Sequence, residues 1–215
     1  MKILATILDF IFPRHCLSCK IRGTDICFSC LTSSPPAERE CAEWIFPLYD
    51  YRHKPLKEAI WLLKYKNRKR IASILGRALV DRISEEVGDL HSIENFTNPI
   101  LIPIPLSRKK FWSRGYNQAE LIAMEIEKLS DRNLKMKKNI LVKKKNTKQQ
   151  AKVVNKEARI KNIIGSFTVK NPDLVKNKNI ILVDDVVTTG ATLGEAKKIL
   201  EQSGAKKVIA FTVAH

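Results

Sequence analysis

The chain has 215 residues, 44% hydrophobic and 28% charged, proportions ordinary for a soluble protein with one good core. No apolar run reaches the length of a transmembrane helix, which excludes a membrane-spanning segment of that kind. Lys and Arg outnumber Asp and Glu by 39 to 22, a formal net charge of +17 that favours polyanionic partners, with plain solubility as the competing explanation.

The first segment, MKILATILDFIF (1–12), has a lysine followed by an apolar stretch, as a signal peptide does. Asp9 interrupts that stretch, and PRHC follows where a small-residue cleavage site would stand. A short amphipathic helix packed on the rest of the fold is expected, and with it a cytoplasmic protein.

Cys16-x2-Cys19 and Cys27-x2-Cys30 follow as two matched pairs separated by seven residues. Each pair can grip one tetrahedral ion through its thiolates, so a structural Zn2+ site of Cys16, Cys19, Cys27 and Cys30 is expected. Two disulfides or free thiols are the alternatives, and a cytoplasmic setting argues against the disulfides. His15 reads as a neighbour of that site, and Cys41 as a small side chain without a pair. Residues 31–43 are polar and proline-bearing, which marks a boundary between a module over 1–43 and a domain over 44–215.

In the larger domain, residues 44–52 read as a strand, and 54–66 and 70–88 carry apolar residues at helical spacing, with Asn67 as a break between them. Residues 98–105 read as a strand entering a proline-bounded loop, and 117–130 as a helix. The stretch from about 131 to 161 is basic and polar, a surface excursion between strands. Strands are expected at 139–143, 166–169, 179–184 and 207–213, with a helix at 191–204 closed by Gly204. Alternation of this kind implies an α/β fold, a mostly parallel sheet with helices on both faces.

The most informative stretch is ILVDDVVTTGATLG (180–193). Ligands of open α/β sheets gather beyond the carboxyl ends of strands, where a loop leads into a helix. Here the loop 186–190 runs into a helix N-terminus, whose free N–H groups and positive dipole end suit an anion. Thr188, Thr189 and Thr192 add hydroxyls, and Gly190 allows close backbone approach. Asp184 and Asp185 would repel a phosphate aimed at them, but suit sugar hydroxyls a few ångströms away. Vicinal hydroxyls and a phosphate together describe a ribose 5-phosphate. A helix cap with an acidic pair would account for one Asp or one Thr, but not for the whole ordered string.

This stretch resembles the phosphoribosyl pyrophosphate (PRPP) binding signature of type I phosphoribosyltransferases. The resemblance implies that Asp184 and Asp185 hold the ribose hydroxyls and that Val186, Thr188, Thr189, Gly190, Ala191 and Thr192 wrap the 5-phosphate. FPRHCLSC, CFSC, YDYRHKPLKEAIWLLKYK, IPIPLSRKKFWSRGYNQAELIA and EARIKNIIGSFTV precede it in order, so the whole chain resembles the ComF family of competence-related proteins, to which GntX-type proteins also belong. By that resemblance Leu106, Ser107, Arg108 and Lys109 form a pyrophosphate loop, Mg2+ accompanies PRPP, and 131–161 is a flexible hood. Arg114, Gly115, Asn117 and Gln118 would close over the substrate or pack the loop; Gln150, Arg159 and Asn162 fall at family motif positions. The sequence departs from the family at Lys145, Asn67 and His215, where arginine, glycine and arginine are usual. No general base stands out, and no catalytic residue is assigned.

The family implies a role in handling incoming single-stranded DNA during natural transformation, together with the DNA-uptake machinery. Lys64, Lys66, Arg68, Lys143, Lys144, Lys145 and Lys148 are the cations available to a phosphate backbone, with Tyr65 for base stacking. The competing reading is an active phosphoribosyltransferase on an unidentified acceptor. A solvated loop is the plain explanation of the lysine-rich stretch.

Overall fold

The structure is a computed structural model that describes residues 13–39, 41–130, 133–144 and 163–215. The expected N-terminal helix, most of the hood, Lys145, Lys148, Gln150, Arg159 and Asn162 lie outside the described residues. A short helix, α1 (Phe28–Thr32), follows the second cysteine pair. Then come β1 (Ile45–Tyr49), α2 (Lys54–Tyr65), α3 (Ile71–Glu94), β2 (Ile100–Pro103), α4 (Arg108–Arg114), α5 (Gln118–Leu129) and the two-residue β3 (Lys135–Met136). The chain finishes through β4 (Leu141–Lys143), β5 (Phe167–Val169), β6 (Asn179–Val186), α6 (Ala191–Gln202) and β7 (Lys207–Ala214).

Five strands form one parallel sheet in the order β1-β7-β6-β2-β3. The register places Ile100 opposite Ile180 and Pro103 opposite Val183 on one side of β6. On its other side Asn179 meets Lys207 and Val186 meets Ala214. β4 and β5 stand apart as an antiparallel pair. They are the one place where the expected strands do not join the main sheet.

β6 is apolar at successive positions because both of its faces are covered. Side chains alternate across a strand. Ile181 and Val183 accordingly pack with α2, α3 and α5, through residues such as Leu63, Leu79 and Ile122. Ile180 and Leu182 pack on the opposite face with Leu193 and Leu200 of α6 and with Phe167 of β5. The same alternation continues into Asp184 and Asp185.

The cysteine-rich front belongs to the first of these cores. Cys16, Ile26 and Leu31 are fully buried in the cluster that holds Leu56, Leu75 and Phe211. Arg77 of α3 lies 4.1 Å from the Phe28 ring centroid, and Arg68 pairs with Asp25 at 3.8 Å.

α4 was not expected, since its segment reads as a loop. Ser107 starts it, its hydroxyl accepting from Lys110 N–H at 3.4 Å, and Gly115 ends it at φ 76°. α3 runs six residues past its expected end, until Asn95 turns left-handed at φ 52°. Asn67 is left-handed as well, at φ 55°, which separates α2 from α3.

Candidate functional site

The carboxyl edge of the sheet is where β6 ends and the loop 187–190 begins. Val187 N–H donates to Ala214 O at 2.9 Å, so β7 fixes the first loop residue. Gly190 sits at φ 70° as the N-cap of α6, a backbone geometry that side chains disfavour. The Thr189 hydroxyl accepts from Ala191 N–H at 3.4 Å. Thr188, Thr189, Gly190 and Ala191 together line a cavity of about 680 Å³, while Thr192 follows in the first turn of α6.

Arg39, Cys41 and His215 face those loop residues across the same cavity. Burial and the nearby Arg39 charge lower the His215 pKa, partly offset by its hydrogen bond to the Thr188 backbone. Arg39 lies in the polar linker and His215 at the last position, so no sequence spacing ties either to the loop. The β1–β7 pairing brings them there, together with the linker's own hydrogen bond to β1, Ala37 N–H donating to Leu48 O at 3.1 Å.

Asp184 and Asp185 lie within β6 and not after it, so their side chains leave on opposite faces. Burial and then the Asp185 charge push the Asp184 carboxyl well above the usual carboxylate range, although it accepts from Asp185 N–H at 2.8 Å. Asp185 is 3% exposed, and its Oδ2 meets Lys64 Nζ at 2.8 Å. Burial works against the Lys64 charge, but Asp185 and then Asp184 outweigh it and raise its pKa.

Lys64 therefore differs from the other cations proposed for a nucleic-acid backbone. It stands four residues after the buried Ile60, on the inward face of α2, and is engaged by Asp185. Arg68 is half-committed to Asp25. Lys143 is partly buried, with its ammonium 5.2 Å from the Phe167 ring centroid. Burial, then Lys110, lowers its pKa, while Asp184 partly restores it. Lys66 and Lys144 are exposed.

The expected pyrophosphate loop follows β2. Ile104 N–H donates to Val183 O at 2.9 Å, and the buried Asn117 donates to Ile104 O at 2.9 Å. Asn117 thus pins the loop to the start of α5. Leu106 and Arg108 line a cavity of about 470 Å³ opposite Lys143 and Lys144, whereas Ser107 is spent on capping α4. Lys109 is exposed on the first turn of that helix.

The sulfur atoms of Cys16, Cys19, Cys27 and Cys30 all lie within 4.8 Å of one another. Sulfurs about 2.3 Å from a tetrahedral ion are about 3.8 Å apart, and Cys19 and Cys27 stand at 3.7 Å. Cys27 N–H donates to the Cys16 sulfur and Cys30 N–H to the Cys27 sulfur, both at 3.4 Å. Such donors favour thiolate, and the cluster can hold a metal ion such as zinc.

Several known proteins are similar to this chain. The family model described as phosphoribosyl transferase domain matches residues 115–215. Competence protein F of Haemophilus influenzae is 28% identical over 97% of this chain and 86% of its own length. Competence protein ComFC of Bacillus subtilis is 31% identical over 74% of this chain and 59% of its own. By these matches the chain is similar to the ComF family. DNA utilization protein YhgH of Escherichia coli, 28% identical over 85% of this chain and 74% of its own, is a further relative. The chain also overlaps glutamine PRPP amidotransferase from B. subtilis, with 13% identity and a TM-score of 0.42, over 66% of this chain and a quarter (25%) of that one. Purine phosphoribosyltransferase from Pyrococcus horikoshii overlaps at 14% identity and a TM-score of 0.38, over 65% of this chain and 78% of that one. Among the described residues, no helix of this protein is long and apolar enough to cross a membrane.

Proposed function

We propose that this ComF-like protein binds PRPP or a similar ribose 5-phosphate ligand and serves the handling of incoming single-stranded DNA in the cytoplasm. The observation that carries the ligand is the sequence of groups along one edge: Asp184 at the end of β6, then Thr188, Thr189 and Gly190, then the N-terminus of α6. A 5-phosphate at the loop takes hydroxyl and N–H donors there, and the dipole of α6 favours its charge. Asp184 accepts from the ribose hydroxyls, and Arg108 and Lys143 lie across the 470 Å³ cavity for the diphosphate or an acceptor. Mg2+, bound with PRPP, would supply positive charge to offset that of the diphosphate.

A carboxylate accepts from two hydroxyls more strongly than a protonated carboxyl does, so Asp184, with its raised pKa, is expected to release a proton when PRPP binds. Calorimetric titration with Mg2+ and PRPP in buffers of different ionisation enthalpy reads this directly. Micromolar-range affinity, lost in Asp184→Asn with the fold intact, is expected. Unchanged affinity in that variant sinks the reading.

The DNA role rests on the relatives named for competence and DNA utilization and on the charge of +17. A second reading, an active phosphoribosyltransferase, is favoured by the 470 Å³ cavity lined by Leu106, Arg108 and Lys143, which has room for an acceptor. Release of diphosphate from PRPP with a purine, pyrimidine or amine decides for it. Salt-dependent binding of a single strand without turnover decides for the first.

A further inference from the structure

A cavity of about 410 Å³ lies between the C-terminal ends of α2 and α4, on the Asp185 face of the sheet. Its cations are Lys64, Lys69 and Arg114, and no acidic side chain lines it. Two of the three, Lys69 and Arg114, are held by neutral groups that leave the cavity positive. Arg114 donates to Gln118 Oε1 at 2.8 Å and to the Tyr65 hydroxyl at 3.3 Å, both neutral, and its guanidinium lies 5.0 Å from the Tyr65 ring centroid. Lys69 stands 4.8 Å from the Tyr116 ring centroid. Among the described residues, neither Lys69 nor Arg114 has a carboxylate partner. Lys64 alone has one, Asp185, at 2.8 Å.

Three converging cations with a single carboxylate among them form a site two charges short of neutral. Rings and a side-chain amide orient these groups without discharging them, which preserves their attraction for an incoming anion. Asp185, almost fully buried and tied to Lys64, is poorly placed to meet a ligand itself. Holding Lys64 at the cavity wall is what its geometry accomplishes.

We propose that this cavity is an oxyanion subsite for a phosphate-ester group, lined by Lys64, Lys69 and Arg114, in which Asp185 is a positioning residue acting through Lys64. It rests on the reading of the carboxyl edge as a ribosyl site, and extends it: Asp184 serves one face of β6, and the subsite serves the other. The shared chemistry is a phosphate or diphosphate ester. Its source is either the diphosphate arm of the ribosyl ligand or the backbone of a nucleic-acid strand.

The test titrates the full chain with four probes: PRPP, inorganic diphosphate, ribose 5-phosphate and a short oligothymidylate. Loss of a charged hydrogen bond in Arg114→Gln or Lys69→Gln is expected to weaken diphosphate about tenfold or more. Ribose 5-phosphate keeps its affinity in those variants and loses it in Asp184→Asn. Lys64→Met weakens diphosphate likewise, and adding Asp185→Asn to it causes no further loss. If PRPP binding falls with diphosphate while the oligonucleotide is unaffected, the source is the ligand's own diphosphate. The reverse pattern makes it a strand. Both uphold the subsite.

Unchanged binding of diphosphate and of oligothymidylate in Arg114→Gln and Lys69→Gln overturns it, whether or not Lys64→Met folds. Additive losses for Lys64→Met and Asp185→Asn overturn the role given to Asp185. A wild-type chain that binds neither PRPP nor ribose 5-phosphate overturns the ribosyl reading instead, and the diphosphate response of the Arg114 and Lys69 variants still decides the subsite.

Discussion

Two adjacent aspartates on one strand have received opposite environments. Asp184 carries a pKa raised by burial and by its neighbour, whereas Asp185 is compensated by an ammonium 2.8 Å away. The folded protein therefore binds the Asp184 proton more tightly than the unfolded chain does. Its favourable contribution is complete below the ordinary carboxylate pKa and declines as pH rises through the raised one. Asp184→Asn removes that decline, so thermal melts are expected to show a variant more stable than wild type at alkaline pH and nearly equal to it at pH 4. Lys64→Met acts in the other direction, leaving Asp185 buried and unpaired. A loss of about 3–5 kcal/mol is expected, read as a fall in Tm of roughly 6–20 °C for a chain of this size. Adding Asp185→Asn should return much of it, since the buried charge is then gone.

At the scale of elements, α3 and α5 come close together at Gly76. A Cβ built on Gly76 would stand 2.7 Å from Glu125 Cβ and 3.2 Å from Ile122 O. Gly76→Ala gains helix propensity worth about 1 kcal/mol but must push the two helices apart. A net loss of roughly 1–3 kcal/mol in urea unfolding is expected. A stabilised variant would show that the helices separate freely. This contact was not legible in the sequence, where Gly76 sits in an ordinary helical pattern. The helices and the central strands were, because their apolar residues recur at the periods that a two-faced sheet requires. α4 was hidden because RKKFWSR carries no buried residue, so no periodic apolar signal marks it. The loop 186–190 could be read from its Thr and Gly residues, whereas the Arg39–His215 wall and the Lys64–Asp185 pair depend on strand order and helix packing. The adjacent acids invited a reading as one paired ligand; strand alternation divides them between two faces.

At the scale of the whole molecule, the cysteine cluster and the α/β sheet share one core. Cys16 is fully buried, and Ile26 and Leu31 pack in the cluster that contains Leu56, Leu75 and Phe211. A metal held by the four sulfurs thus closes a loop of 15 residues, 16–30, whose apolar side chains are part of the sheet's cover. In a separable knuckle, chelation would melt the knuckle alone and leave the melting of the sheet unchanged. With the core shared, loss of the ion loosens the seat of α2 and α3 as well, and Lys64 rides on α2. Metal analysis of the purified chain is expected to give one zinc per molecule, and a strong chelator is expected to lower the single melting transition by several degrees. Cys19→Ser, which removes an exposed sulfur and leaves the buried Cys16 in place, is expected to reproduce that shift without chelator. A chain whose main transition ignores both treatments would mean that the apolar packing of Ile26 and Leu31 holds the front of the molecule without the ion.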